Sequence, residues 1–195
     1  METTLLPQRG SAAALATTFV LAAMPAFAQQ ATLVPAQSEI TFTTKQMGVP
    51  VDGKFRQFAA QVAFDPKKPD AAKIGFTIEL GSAAIGTPET EAELAKPDWF
   101  NTKVFPQAGF QSSAVKALGG GKFEVSGTLA IKGARQAVVV PVTLAQAGAN
   151  STATGSFTLK RLDFKIGDGD WNDPSLVADE VLVKLRLVLS GMAPP

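Results

Sequence analysis

Cysteine and histidine are both absent from this chain of 195 residues. Without cysteine there is no disulfide, so the folded state must be stabilised by its core alone. The two missing side chains are also the usual ligands of zinc, copper and haem and the usual members of nucleophile–base pairs. Carboxylate, hydroxyl and amine groups are what remains for chemistry, and we expect neither a metal site nor a catalytic site.

An excess of one charge is also lacking. Lys and Arg number 18 against 17 Asp and Glu, which gives a net charge of +1. The longest basic cluster is Lys67-Lys68. Because nucleic-acid binding depends on neutralising phosphates, this composition excludes nucleic acid as a partner.

Long apolar runs are missing, apart from one near the amino terminus. The run from Ala12 to Ala23 follows Arg9 and precedes Ala26-Phe27-Ala28, a small-x-small cleavage pattern. It is shorter than the roughly 20 residues of a membrane-spanning helix. The sequence therefore predicts a cleaved secretory signal over residues 1–28 and one exported domain over residues 29–195, since 46% hydrophobic content suffices for a core.

The segment from Gly127 to Val142 predicts two strands joined at Lys132-Gly133, with apolar residues on both faces. A sheet with one solvent-exposed face would alternate apolar and polar residues along each strand, and the run from Val138 to Val142 does not alternate. We therefore expect both faces of these strands to be covered by other structure. One cover is a second sheet or a barrel interior, and the other is a helix, a partner or an apolar ligand.

Strand-length apolar segments separated by turn signals recur from Ser38 onward. They predict strands near 38–45, 53–64, 73–80, 107–116, 122–131, 135–145, 152–162 and 178–190, with a short piece at 31–34. Thr87-Pro88-Glu89-Thr90 has the composition of a helix start, so a short helix is expected near 88–95. The fold class is thus all-β, an antiparallel barrel of about eight strands with one short helix in a long connection.

Alternation along the strands separates an apolar face from a charged one. We assign the apolar face to the barrel interior: Ile40, Phe42, Phe58, Val62, Phe64, Ile74, Phe76, Ile78, Val125, Leu129, Ile131, Val181, Val183, Leu185 and Leu187. Trp99, Phe100 and Phe105 lie in the long connection between strands, where aromatic side chains usually close a cavity. We expect segment 87–106 to cover one barrel end.

Five stretches in order resemble the YceI-like family of lipocalin-like, polyisoprenoid-binding proteins. They are residues 53–66, residues 98–106 with Phe110-Gln111-Ser112-Ser113, residues 125–133, residues 161–167, and Asp179-Glu180-Val181. Together they cover nearly the whole exported chain. Two positions depart from the family pattern, namely Gln46, where many relatives have His, and Lys165, where Gly is usual.

The resemblance implies a periplasmic eight-stranded barrel whose long pocket takes the tail of an isoprenoid or similar lipid, with no catalysis common to the family. It implies no cofactor other than a bound isoprenoid lipid or quinone. The expected apolar lining of the pocket is Phe42, Phe58, Phe64, Phe76, Ile78, Trp99, Phe105, Phe110, Val125, Leu129, Phe157, Leu159, Phe164, Val183 and Leu185.

Arg161 shares strand parity with Phe157 and Leu159, so it points inward near a barrel end. A buried arginine must be paired or must contact an anion. We favour a structural ion pair with Asp163, Asp179 or Glu180, and the alternative is a contact with a ligand head group. Residues 168–173 cluster oxygen donors like the start of a calcium loop, but the closing Glu is missing, which favours a polar turn.

Three functions follow from these observations. The first is non-catalytic binding, sequestration or transport of an isoprenoid lipid of polyprenyl or quinone type in the periplasm, with transient contact with a membrane or membrane protein and a homodimer as further expectations. The second is a structural or stress-response interaction protein with a packed barrel. The third is a hydrolase using carboxylates of residues 167–174, which ranks last because no general-base geometry is visible.

Overall fold

The computed structural model describes Met1 and residues 30–192. Signal segment 1–28 therefore lies, except for Met1, outside the described residues. The strands are β1 (Gln30–Leu33), β2 (Glu39–Gln46), β3 (Val49–Phe55), β4 (Phe58–Ala63), β5 (Lys73–Glu79), β6 (Ala83–Ala84), β7 (Gln107–Gly119), β8 (Lys122–Ile131), β9 (Ala134–Ala147), β10 (Asn150–Lys160) and β11 (Glu180–Ser190). The helix α1 spans Pro88–Leu94, and short 3-10 turns occupy Pro35–Gln37, Pro69–Ala71, Leu80–Ser82, Arg161–Phe164 and Gly169–Trp171.

These strands close into an antiparallel barrel of eight long strands, some of which are broken by a bend. β1 and β2 are two halves of one bent strand that pairs with β11, and β3 and β4 are two halves of its neighbour. The neighbour pairs with β5 and, through β3, with β6. From β5 the order runs β7, β8, β9, β10 and β11, and the pairing of β11 with β1 closes the ring.

The predicted fold class is confirmed: the chain forms a closed antiparallel eight-stranded barrel with one helix. The helix begins where its sequence indicates, since the Thr87 side chain accepts a hydrogen bond from the Thr90 backbone N–H and Pro88 occupies the first turn. Residues 97–100 form turns. Among residues 30–192, no helix is long and apolar enough to cross a membrane.

Strands β8 and β9 meet at the Lys132-Gly133 turn, where both residues have positive φ angles of 49° and 79°. Such a two-residue turn matches the twist of a hairpin. Val140 and Leu144 face inward and are buried, whereas Val139 on the outer face is 53% exposed. Within the described residues only the inner face of β9 is covered, and a partner as the second cover stays a prediction.

Candidate ligand-binding site

The barrel interior contains two adjoining cavities. The outer chamber lies near the β2–β3 turn and has a volume of about 430 Å³, and the inner chamber has a volume of about 130 Å³. The two chambers share a ring of wall residues, which we call the neck. It consists of Ile40, Ile78, Leu129, Phe157 and Val183. The outer chamber alone is within the roughly 300–1,000 Å³ typical of small-molecule sites.

The inner chamber has an entirely apolar wall formed by Ile, Val, Leu, Phe, Ala and Met side chains. Phe64 and Phe123 meet edge to face at its far end, with ring centroids 5.1 Å apart, and Met192 is buried beside them. A void of this size costs about 3 kcal/mol at the ~24 cal/mol per Å³ measured for apolar cavities. Ordinary cores avoid such voids because they pack as densely as organic crystals.

The connection from Ile85 to Phe105 lies over the outer chamber. Glu89, Thr90, Glu93 and Leu94 of α1 line this chamber, and Trp99 and Phe100 continue the wall beyond the helix. The helix is held to the bend between β3 and β4, where the Arg56 guanidinium donates to both carboxylate oxygens of Glu91 at 2.8 and 3.1 Å. The aromatic side chains of this connection thus lie at a barrel end, as the sequence indicates.

The loop from Arg161 to Ala178 closes the rest of this end, and Arg161 is its centre. The side chain is only 2% exposed, and all five of its N–H groups donate to backbone carbonyls at 2.7–3.1 Å. The acceptors are the carbonyls of Ile166, Gly167, Trp171, Val177 and Ala178. One guanidinium therefore fixes the course of the whole loop.

This arrangement corrects both interpretations of Arg161. No carboxylate of the described residues lies within ion-pair distance of the guanidinium, so the predicted pair with Asp163, Asp179 or Glu180 is wrong. Every donor is already used, so none is left for a ligand head group. Burial lowers the pKa of Arg161, while the charges of Asp179 and Asp168 oppose that shift, and the side chain stays protonated.

Two buried polar atoms of the outer chamber wall lack a hydrogen-bond partner within the described part of the chain. They are Trp99 Nε1 and Thr44 Oγ1. Trp99 packs against Trp171, with ring centroids 5.6 Å apart, and both rings border the chamber. An unpaired buried polar group costs about 1–3 kcal/mol. Both atoms have almost no accessible surface, so they are a local cost to the fold and not a contact that opens on the chamber.

The charged residues on the outer chamber wall are mainly acidic. A hydrogen bond with the Thr87 side chain lowers the pKa of Glu89, which is therefore ionised at neutral pH. Glu93 also lines the chamber and pairs with Lys96, with Nζ and Oε2 2.5 Å apart. Among the described wall residues Arg161 is the only cation, and its donors are occupied. The chamber thus has no free positive group for an anion.

Most residues of the predicted pocket lining lie on a chamber wall. Twelve of them do so: Phe42, Phe64, Phe76, Ile78, Trp99, Phe110, Val125, Leu129, Phe157, Leu159, Val183 and Leu185. The Phe42 ring lies flat over the neighbouring strand at Gly53, where an added Cβ would come within 2.3 Å of the ring. Glycine at this position lets the aromatic ring occupy the interior.

The other three predicted lining residues lie elsewhere, which corrects the prediction for them. Phe58, the first residue of β4, packs against the interior core cluster but lines neither chamber, and it borders a separate groove with Pro35–Glu39. Phe105 packs over the β8–β9 turn, 3.2 Å from where a Gly133 side chain would begin. Phe164 is 1% exposed and fills the core behind the outer chamber. The bend and the loops redirect these rings, which strand alternation does not describe.

Sequence reasoning also missed part of the wall. Val140, Val142 and Leu144 of β9 line the inner chamber, and their shared parity on one strand was a usable signal. Phe55, Phe100, Ile166, Trp171 and Val177 line the outer chamber from bends and loops. Their positions depend on how loops fold over the barrel end, for which the sequence has no periodic signal.

Two acidic side chains of the loop of residues 168–173 make local contacts. The Asp173 side chain accepts a hydrogen bond from the Ser175 backbone N–H at 2.8 Å, and Asp168 lies 3.6 Å from the Lys132 ammonium. Its acidic side chains do not line either chamber. Across the described residues, no three potential metal ligands cluster around one point.

Comparison with known proteins shows to which family the chain belongs. The YceI-like domain model matches residues 32–189, so the chain belongs to this family. A UPF0312 protein of Shewanella baltica (strain OS185) is 28% identical over 166 residues, which span 80% of this chain and 83% of the relative. The resemblance inferred from the five sequence stretches is confirmed.

Two solved structures are similar to the barrel. The crystal structure of Burkholderia cenocepacia BcnA is 44% identical with a TM-score of 0.78, and the match covers 80% of this chain and 98% of that one. A polyisoprenoid binding domain from Saccharophagus degradans, implicated in plant cell wall breakdown, is 15% identical with a TM-score of 0.67 over 85% of this chain and 99% of that one. At that identity the second likeness shows the fold alone.

Proposed function

We propose that this barrel binds an isoprenoid lipid of polyprenyl or quinone type without catalysis and sequesters or carries it in the periplasm. The observation that carries the proposal is the unfilled apolar interior, with an inner chamber that has no polar wall residue. An apolar cavity of such a size stays dry and accepts apolar guests. The polyisoprenoid-binding relative with the same fold supports this class of ligand.

The energy of binding comes from the tail. Each buried methylene contributes about 0.8 kcal/mol, so one five-carbon isoprene unit supplies roughly 3–4 kcal/mol before ordering costs. A few such units outweigh any single hydrogen bond to a head group, which contributes about 1 kcal/mol. The tail also fills the inner chamber and removes the penalty of an empty cavity.

The head group belongs in the outer chamber and is best matched by a neutral group. The carboxylates on the wall of this chamber belong to Glu89 and Glu93. A pyrophosphate would meet the ionised Glu89 and no free cation. The wall therefore favours neutral over anionic lipids.

The proposed location and partners rest on different features. The signal pattern in residues 1–28 supports export to the periplasm.

Met47 and Val49, at the β2–β3 turn beside the outer chamber, are 71% and 63% exposed, and Leu176 hydrogen-bonds to Met47 and is 40% exposed. These side chains support transient contact with a membrane, which vesicle co-sedimentation measures. A homodimer stays a prediction, because one exposed valine, Val139, is ordinary for a protein surface.

We expect affinity to follow tail length much more than head-group charge. The test is a titration of delipidated protein with prenyl chains of increasing length, each with a neutral and a pyrophosphate head. Affinity should rise with each isoprene unit until the interior is full and should change little with salt, because no free cation lines the chamber. A strong, salt-sensitive preference for pyrophosphate at equal tail length would contradict the proposal.

A further inference from the structure

The neck lies between the two chambers and is contributed by strands around the barrel. Its five residues come from five different strands, namely β2, β5, β8, β10 and β11. Phe157 and Val183 are direct neighbours across the β10–β11 pair. A tail that enters from the outer chamber must pass between these side chains before it reaches the inner chamber.

Beyond the neck, the described part of the inner chamber ends against apolar side chains. Phe64 and Phe123 meet at 5.1 Å, and Met192 and Leu189, which are 6% and 3% exposed, complete that end. Most of the wall is buried from solvent, and the volume is only about 130 Å³. The chamber can therefore hold the end of a tail, and a longer tail would have to displace these buried side chains.

One wall position keeps this volume free. Ala153 on β10 is 8% exposed and lies beside Leu187 of β11 and Leu144 of β9. Every other described residue of the inner wall is valine or larger. A longer side chain at this position would extend into the chamber, since both neighbouring strands already fill their sides with leucine.

We propose that the inner chamber sets the maximum tail length of the ligand and that Ala153 is the residue that determines this limit. The inference rests on the proposed function and adds chain-length selectivity to it. Prenyl lipids gain affinity with each unit that passes the neck, and the gain ends when the tail reaches Phe64 and Phe123. Tails that stay in the outer chamber do not contact Ala153, so their affinity does not depend on it.

The experiment repeats the prenyl titration, with neutral heads only, on Ala153→Leu. For the longest tail whose last isoprene unit still raises affinity for the wild type, affinity for the variant should fall about tenfold. The added leucine carbons take the space of roughly two methylenes of the tail. Short tails should bind as they do to the wild type. The ligand-free variant should also melt at a higher temperature, because the new side chain fills a void.

The control is Ala145→Leu, the same change at an exposed position on the outer face of β9. It should leave the length profile unchanged. Ala153→Val, which adds fewer atoms and suits a strand, should shift the profile less in the same direction and serves if the leucine variant does not fold.

If affinity for the wild type rises with tail length and the Ala153 variants give the same dependence, the length limit is overturned. The proposed function would then remain intact. Equal weakening at all lengths would also overturn it, since Ala153 would then act on the fold and not on the tail. A wild type that binds no prenyl chain would overturn the proposed function, and the length limit with it.

Discussion

Replacement of Arg161 by methionine is expected to destabilise the barrel by at least about 3 kcal/mol, because five backbone carbonyls lose their donors at once. Methionine keeps much of the side-chain volume but donates no hydrogen bond. For a domain of this size the thermal midpoint should fall by about 6–12 °C. Arg161→Lys should give a smaller loss, since an ammonium has three donors and lacks the planar fork.

Arg135→Met is the matched control, because Arg135 lies on β9 with an exposed side chain. Its midpoint should stay within the small range of ordinary surface changes. Thermal and urea unfolding of the three variants and the wild type measure the difference. If Arg161→Met unfolds together with the control, the guanidinium does not hold the loop, and the account of the closed barrel end is wrong.

Replacement of Phe76 by aspartate is expected to abolish lipid retention or folding. Phe76 lines the inner chamber and packs on Phe110, with ring centroids 6.4 Å apart. The wall offers no cation or hydrogen-bond donor, so the carboxylate would be left without a partner, which costs several kcal/mol, or would take up a proton. Circular dichroism separates loss of the fold from loss of binding in a folded barrel.

Ala59→Asp places the same charge on the outer face of β4, at an exposed position that pairs with Thr77 next to Phe76. It should retain both stability and lipid, because the added carboxylate stays in water. Should Phe76→Asp match this control in melting temperature and in lipid retention, the inner chamber would not be where the tail binds.

The barrel itself was predictable because strand alternation is a local, periodic signal. Ile40 and Phe42, for example, share a face that the sequence marks as apolar, and both line the interior. The same signal placed Arg161 inward but could not identify its partners. Those are carbonyls of a loop whose path depends on Arg161 itself, so no pattern of residue types encodes them.

The residues at the edges of the ligand site were less predictable, because they lie in bends and loops, where strand alternation no longer applies. Phe58 has the parity of an interior residue and packs against the interior core cluster, yet it lines neither chamber because it lies at the bend, beside another groove. Trp171 lies in a polar loop that resembles the start of a calcium site, yet its ring pairs with Trp99 at the outer chamber. Lys165 adopts a left-handed conformation with φ 56°, which the fold tolerates at some cost in strain and which no periodic pattern indicates.

The central claim is that the barrel interior holds an isoprenoid tail. Native mass spectrometry of the full chain, exported by a bacterial host and purified without detergent, tests it most directly. The account predicts a chain that begins at Gln29 and carries one tightly held lipid, which yields an isoprenoid tail on extraction. A protein that emerges without lipid and takes up none, or that carries only fatty-acyl lipids, would contradict it.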